Sequence, residues 1–315
     1  MTTTILSNVE EFQGIIVLSK SRLEDFMTGK NLGKRMVAIG DVHGEYEKFR
    51  GILLDAKLMD SSDNWIGGDT IFVQTGDMID RGPKSIESVD LIRSLQEGAQ
   101  KAGGRVVRLF GNHELMLLEG DHRYVNFEKP PELAGQFREE IVNGKLRAAW
   151  PDGIRLFSHA GVRTKLRQWL ENGIMEADNR QFTPERLRRI ADTANQRLRE
   201  AVAEGSYQGP LFYIDKSRGG SDPYGGLFWG DAENLVGSEQ AFEMPQVFGH
   251  TPTGKPAFEV VDGGNLINID CGMYNGYGGN CGYLEITPEG QLIQYTRSAK
   301  AEQFISVPIK QNGAY

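Results

Sequence analysis

Short apolar and β-branched runs recur along the chain, and each gives way to a small residue with Asp, Asn or His close behind. Met36-Val-Ala-Ile precedes GDVHG, Thr70-Ile-Phe-Val-Gln precedes TGDMIDRG, and Arg105-Val-Val-Arg-Leu-Phe precedes GNHE. Ile154-Arg-Leu-Phe then precedes SHAG, and Gln246-Val-Phe precedes GHTP. Runs this short and this continuous predict buried strands. The polar strings then fall on loops at strand C-terminal ends, where open α/β sheets gather ligand sites. Between the strands the period changes to that of a helix. Tyr46, Phe49, Ile52, Leu53 and Ala56 share one face, as do Ile86, Val89, Ile92 and Leu95, with Gly103-Gly104 as a stop. Thr183-Pro184-Glu185 starts a helix, with Thr as cap and Pro in its first turn, and Leu187, Ile190, Ala191, Ala194, Leu198 and Ala201 form its apolar stripe. The Gly-, Ser- and Asp-rich segment 205–232 has the length of a functional loop. Leu266-Ile-Asn-Ile and Tyr283-Leu-Glu-Ile return the chain to strands. This alternation predicts an α/β fold.

At 315 residues the chain can bury a full core without disulfide or structural metal. Its 39 Gly residues point to many turns and close backbone approaches. A formal net charge of −8 and the lack of any large Lys/Arg block argue against nucleic acid as a partner. No stretch has membrane-helix length, and the apolar run 14–18 is too short for a signal sequence. Cys271 and Cys281 lack metal-site spacing and read as reduced thiols, so the expected location is cytoplasmic. Nothing in the pattern prescribes an oligomer.

Four of the five histidines stand inside the strand-end strings, beside Asp and Asn. Isolated buried histidines are usually structural; this clustering instead points to metal. Oxygen and nitrogen donors without sulfur suit Mn²⁺, Fe or Zn²⁺ better than Mg²⁺.

The strings GDVHG (40–44), GDMIDRG (76–82), GNHE (111–114), SHAG (158–161) and GHT (249–251) resemble, in order, those of the calcineurin-like metallophosphoesterases. The match is nearest to their phosphoprotein phosphatase branch. GNHELMLLEGDHRYV (111–125) and IDCGMYNGYGG (269–279) resemble the Shewanella-like phosphatases. The resemblance implies a two-sheet β-sandwich flanked by helices. It divides the chain into an N-terminal extension (1–35), a metallophosphoesterase domain (36–298) with a mostly helical insertion at 130–208, and a C-terminal tail (299–315). It also implies two divalent ions, with Asp41 and His43 on one, Asn112, His159 and His250 on the other, and Asp77 between them. A shared carboxylate suits two cations roughly 3.5–4 Å apart, and a hydroxide bridging the ions would attack phosphorus directly. His113 is expected to protonate the leaving oxygen, with Asp80 fixing its tautomer and raising its pKa. Arg81 offers a planar fork to phosphate, and Asn112 also faces substrate.

The branch usually carries a second phosphate-binding arginine between SHAG and GHT, but here LFWGD puts Gly230 and Asp231 at the nearest equivalent. Arg123 is the preferred substitute, ahead of Arg218. The expected substrate is a phosphoprotein or phosphopeptide bearing phosphotyrosine or phosphoserine/threonine. The alternatives are dinucleoside polyphosphate hydrolysis and a scaffold that has lost catalysis. The branch that hydrolyses dinucleoside tetraphosphates usually lacks the Asp at 80, and a dead scaffold would have lost ligands that are all present here.

Overall fold

The computed structural model describes residues 33–171, 182–223, 225–236 and 244–311, so most of the expected N-terminal extension lies outside the described residues. Two sheets form the centre. The larger runs β12-β11-β10-β1-β2-β3-β4 and the smaller β5-β6-β7-β9-β8. In the first, β1 (Met36–Ile39), β2 (Ile71–Gln74), β3 (Arg105–Leu109) and β4 (Leu146–Arg147) are parallel. β10 (Cys281–Ile286), β11 (Leu292–Arg297) and β12 (Ile305–Pro308) extend it antiparallel. In the second, β6 (Leu156–Ser158), β7 (Gln246–Phe248) and β9 (Leu266–Asn268) are parallel. Antiparallel β5 (Ala149–Pro151) and β8 (Glu259–Val261) flank them.

The alternation of side chains along β1 explains its unbroken apolar run. Met36 and Ala38 enter the cluster between the sheets, with Val73, Val107, Phe157, Val247 and Ile267. Val37 and Ile39 point the other way, into the cluster under the helices. A strand covered on both faces has no polar position to spare. The helix-side cluster takes Phe49, Ile52 and Leu53 from α1 (Tyr46–Asp55) and Val89, Ile92 and Leu95 from α2 (Ser85–Lys101). These are the faces that the sequence periodicity marks.

Two expectations about boundaries need correction. The segment 130–208 does contain α4 (Pro130–Val142), α5 (Thr164–Leu170) and α6 (Pro184–Glu204). However, β4, β5 and β6 lie inside it and belong to both sheets, so it is part of the framework rather than an insertion. β6 is the run before SHAG that the sequence already marks as a strand, whereas β4 and β5 are only two and three residues long, too short for a period to show. The segment read as a tail contains β12, an edge strand paired to β11 through Ile305–Pro308. Its four residues are all exposed, which removes the hydrophobic signal a buried strand would give.

α6 begins as expected, with the Thr183 side chain accepting from the Arg186 amide. Asn195 interrupts its apolar stripe. Its buried amide accepts from the Ala148 and Ala149 N–H groups and donates to the Ala149 carbonyl, fastening α6 to the strands. Leucine there would strand buried backbone groups at about 1–3 kcal/mol each. No helix among the described residues is long and apolar enough to cross a membrane.

Candidate metal centre and cleft

The C-terminal ends of β1, β2 and β3 meet those of β6 and β7 at one edge of the two sheets, and all five polar strings leave from there. Backbone contacts bind the loops into one unit. The Asp77 carbonyl accepts from Val42 and His43, and His43 returns its carbonyl to the Gly82 amide. A Cβ on Gly76 would lie 2.8 Å from the His159 ring and the Gly111 amide, so only glycine lets these loops close. His43, Asp77, Asp80, Arg81 and His250 all have positive φ, between 50° and 72°. Left-handed backbone at non-glycine residues costs of order 1 kcal/mol each, and such strain concentrates where side-chain placement matters.

The resulting side-chain cluster falls into two halves around Asp77. His43 donates from Nδ1 to the Ile79 carbonyl at 3.2 Å, which leaves Nε2 bare. That atom lies 3.7 Å from Asp77 Oδ2 and 3.9 Å from Asp41 Oδ2. Asp41 Oδ2 is buried and has no hydrogen-bond partner among the described residues, while Oδ1 accepts from the His250 amide. On the other side, His159 donates from Nδ1 to the Thr75 carbonyl at 2.9 Å. Its bare Nε2 then faces Asn112 Oδ1 at 2.9 Å, His250 Nδ1 at 3.1 Å and Asp77 Oδ1 at 3.5 Å.

A bare imidazole nitrogen packed against carboxylate and amide oxygens has no proton to share. Such a set of acceptors fits a cation in each half, with one oxygen of Asp77 turned to each. Burial holds His43 and His250 well below the usual histidine range and His159 at about 4, so all three are neutral at pH 7, the form that can take a metal. Burial, then repulsion from Asp270 and Asp77, pushes Asp41 up, and burial raises Asp77 to about 8. Bound cations would remove that penalty.

His113 stands beside this cluster. It donates from Nδ1 to Asp80 Oδ2 at 2.7 Å and presents Nε2 to a cleft of about 410 Å³. Arg81 Nε donates to that Nε2 at 3.3 Å. The Arg81 guanidinium lies over the rings of Tyr124 and Tyr277, at 4.4 and 5.0 Å. The expectation that Asp80 raises the His113 pKa is not met. Burial, followed by Arg81 and His159, holds His113 well below its usual range. Burial also lifts Asp80 to about 7, which weakens its charge as a partner.

The two candidate arginines differ in position. Arg123 is 71% exposed at the cleft mouth, tied up by Asp121 at 2.6 Å. Arg218 is deeper, held by Asp231 at 3.0 Å and Thr251 Oγ1 at 2.8 Å, and lines the cleft with His250 and Trp229. Both arginines line the cleft, and Arg218 is the more deeply set of the two. Asp231, the departure from the expected string, is what anchors Arg218. His122, the fifth histidine, is exposed.

Other contributors have little sequence signal. Glu114 is buried, and its carboxylate accepts from the Asp77, Met78 and Gly111 amides at 2.9 Å each. It sits at the third position of α3 (Asn112–Glu119), where a capping-box acid is expected. The His113 amide, also in the first turn of α3, donates to Asp77 Oδ1 at 2.9 Å. Tyr124 and Tyr277 could not be told from ordinary surface aromatics by their spacing.

A sequence model for calcineurin-like phosphoesterases matches residues 34–254. The chain belongs to this family. It is 48% identical over 92 residues to Shewanella-like protein phosphatase 2 of Arabidopsis thaliana, covering 29% of this chain and 24% of that protein. It is 36% identical over 129 residues to Shewanella-like protein phosphatase 1 of Plasmodium berghei, covering 40% and 35%. The matches thus span a quarter to a third of these relatives' lengths. A cold-active protein-tyrosine phosphatase of a psychrophilic Shewanella has the same fold, with a TM-score of 0.62 at 23% identity over 88% of this chain and 80% of its own. The calcineurin-like family uses a dinuclear metal centre, and the two half-sets around Asp77 are candidate ligand groups for one.

Proposed function

We propose that this metallophosphoesterase is a phosphomonoesterase acting on phosphoproteins or phosphopeptides. The observation that carries the reading is the pairing of two half-sites on Asp77 with His113 and Arg81 at the same cleft. Asp41 and His43 would hold one ion and Asn112, His159 and His250 the other, with Asp77 shared. Mn²⁺ is the leading choice, with Fe or Zn²⁺ as substitutes. Bound there, the ions would supply an activated water and neutralise charge on the phosphoryl oxygens. The remaining work falls to the protein. Arg81, braced by two tyrosine rings, orients the phosphate through its planar fork. Arg218 supplies a second guanidinium from the opposite wall, in the role first considered for Arg123. Asn112 borders the cleft, where it would serve both as a ligand and as a contact to the phosphate. To give a proton to the leaving oxygen from Nε2, His113 must first be protonated there, which requires the bound phosphate to draw Arg81 away from Nε2 and so relieve the charge that, after burial, holds the ring neutral; Asp80 keeps Nδ1–H and the ring orientation.

The names of the Arabidopsis and Plasmodium relatives support a protein substrate. The cleft walls include Tyr124, Tyr277 and Trp229, surfaces that accept an aryl or alkyl side chain equally. A second reading, dinucleoside polyphosphate hydrolysis, draws on matches such as the symmetrical bis(5'-nucleosyl)-tetraphosphatase of Cronobacter sakazakii, 38% identical over 133 residues. The Asp80–His113 pair favours the first reading. Cys271 and Cys281 are buried and unpaired, in keeping with a cytoplasmic enzyme. The test is a rate comparison after metal reconstitution on phosphotyrosine peptide, phosphoserine peptide and diadenosine tetraphosphate. Faster turnover of a phosphopeptide is expected; preference for the dinucleotide would overturn the reading.

A further inference from the structure

β9 is a sixth strand ending at the same edge, and its C-terminal string, Ile269-Asp270-Cys271-Gly272, has no role in the centre as described so far. Asp270 is 2% exposed. Its Oδ1 accepts from the Gly272 amide at 2.8 Å, which makes a tight turn of the string. Its Oδ2 is buried without a protein partner, the same condition as Asp41 Oδ2. The two carboxylates sit on adjoining backbone: a Cβ on Gly40 would lie 2.9 Å from the Ile269 carbonyl and 3.1 Å from Asp270 Cα. A fully buried carboxylate with an unused oxygen is costly unless a cation or donor meets it. No protein group among the described residues does so at Oδ2.

We propose that Asp270 is a positioning residue of the Asp41–His43–Asp77 half-site, a carboxylate behind Asp41 that tightens the divalent ion held there. The inference rests on the metal reading of the site, not on the substrate. It also assigns a reason for the turn at Gly272, whose positive φ of 77° keeps Oδ1 occupied and leaves Oδ2 for the centre.

The experiment is calorimetric titration of Mn²⁺ into metal-stripped full-length protein, wild type against Asp270→Asn, with melting midpoints of both metal-free forms. Loss of a residue that supports metal ligands typically weakens affinity about 10–100-fold. The expected result is such a loss for one of the two ions, with the other unchanged. The metal-free variant should melt no lower than metal-free wild type, because an unneutralised buried charge has been removed. Wild-type affinity for both ions would overturn the proposal, as would equal weakening of both with a lowered midpoint, which marks a residue of the fold. Asp270→Ser keeps a short acceptor for the Gly272 amide and must give the same one-ion loss if the Asn variant does not fold. Wild type that binds no Mn²⁺ would instead defeat the metal reading itself.

Discussion

Replacing His113 with Asn should separate substrates by how much their leaving group needs a proton. The His113 ring is buried, its Nδ1 is committed to Asp80 at 2.7 Å, and only Nε2 reaches the cleft. Asn occupies part of that space and donates a hydrogen bond, but it cannot give up a proton. Loss of a positioned acid costs about 10²–10⁴ in rate where protonation matters. At 1.36 kcal/mol per decade, that is about 2.7–5.4 kcal/mol of barrier on a phosphoserine peptide. p-Nitrophenolate leaves as a stable anion, so p-nitrophenyl phosphate should lose about tenfold or less. His113 Nε2 lies 4.0 Å from Asp77 Oδ2, near enough to His43 and Asp77 to hold a metal with them, so metal content separates the two roles: as the acid, His113 can be replaced without loss of an ion. Asp80 would lose its histidine, but with its carboxyl already near pKa 7 it can carry a proton instead of a buried charge. The assay is single-turnover hydrolysis at saturating metal, so that product release does not mask chemistry. Equal losses on both substrates, or loss of an ion, would refute the assignment of His113 as acid.

Glu114→Gln should cut activity and lower stability by about 2–4 kcal/mol, since one of its two oxygens becomes an NH₂ group facing backbone donors; thermal unfolding and metal content check it. Arg218→Gln should impair turnover of a phosphopeptide far more than Arg123→Gln, and comparable effects would restore Arg123 to the phosphate site. Glu140→Gln should destabilise the fold by about 3 kcal/mol without altering the metal centre, because Glu140 pairs with buried Arg108 at 2.8 Å and ties α4 to β3. Burial pushes Glu140 up, but Arg108 and Arg93 outweigh it and hold the carboxyl below its ordinary value. With the folded pKa below the unfolded one, that contribution is present above about pH 4.3 and is lost as pH falls through the folded value. Acid unfolding of wild type and the Gln variant should therefore converge at low pH, and a constant gap would contradict the pairing.

The ligand set was legible in the sequence because it obeys a local rule: an apolar run, a small residue, then the donor. Asp41, His43, Asp77, Asn112, His159 and His250 all lie in such strings, and the structure places them side by side. Asp270 also leaves a strand end, after Leu266-Ile-Asn-Ile, but it lacks both the small residue before it and a neighbouring histidine, so the rule does not mark it. Glu114 was hidden for another reason. It touches only backbone amides, and its importance depends on loops distant in sequence. Arg218 sits in a Gly- and Ser-rich loop with one short helical turn, and its position depends on Asp231 and Thr251 rather than on any local pattern. The low pKa of His113 was missed because residue spacing carries no information about desolvation. The strand β12 was missed for lack of a buried face.

The central claim is that Asp77 is shared by two ions in one catalytic centre. Its most direct test is metal stoichiometry per chain, measured by elemental analysis after reconstitution and buffer exchange, in wild type and Asp77→Asn. Two ions per chain in wild type and fewer than two in the folded variant, with hydrolysis lost, is the predicted result. Two ions retained in Asp77→Asn with undiminished hydrolysis would contradict the shared-carboxylate centre.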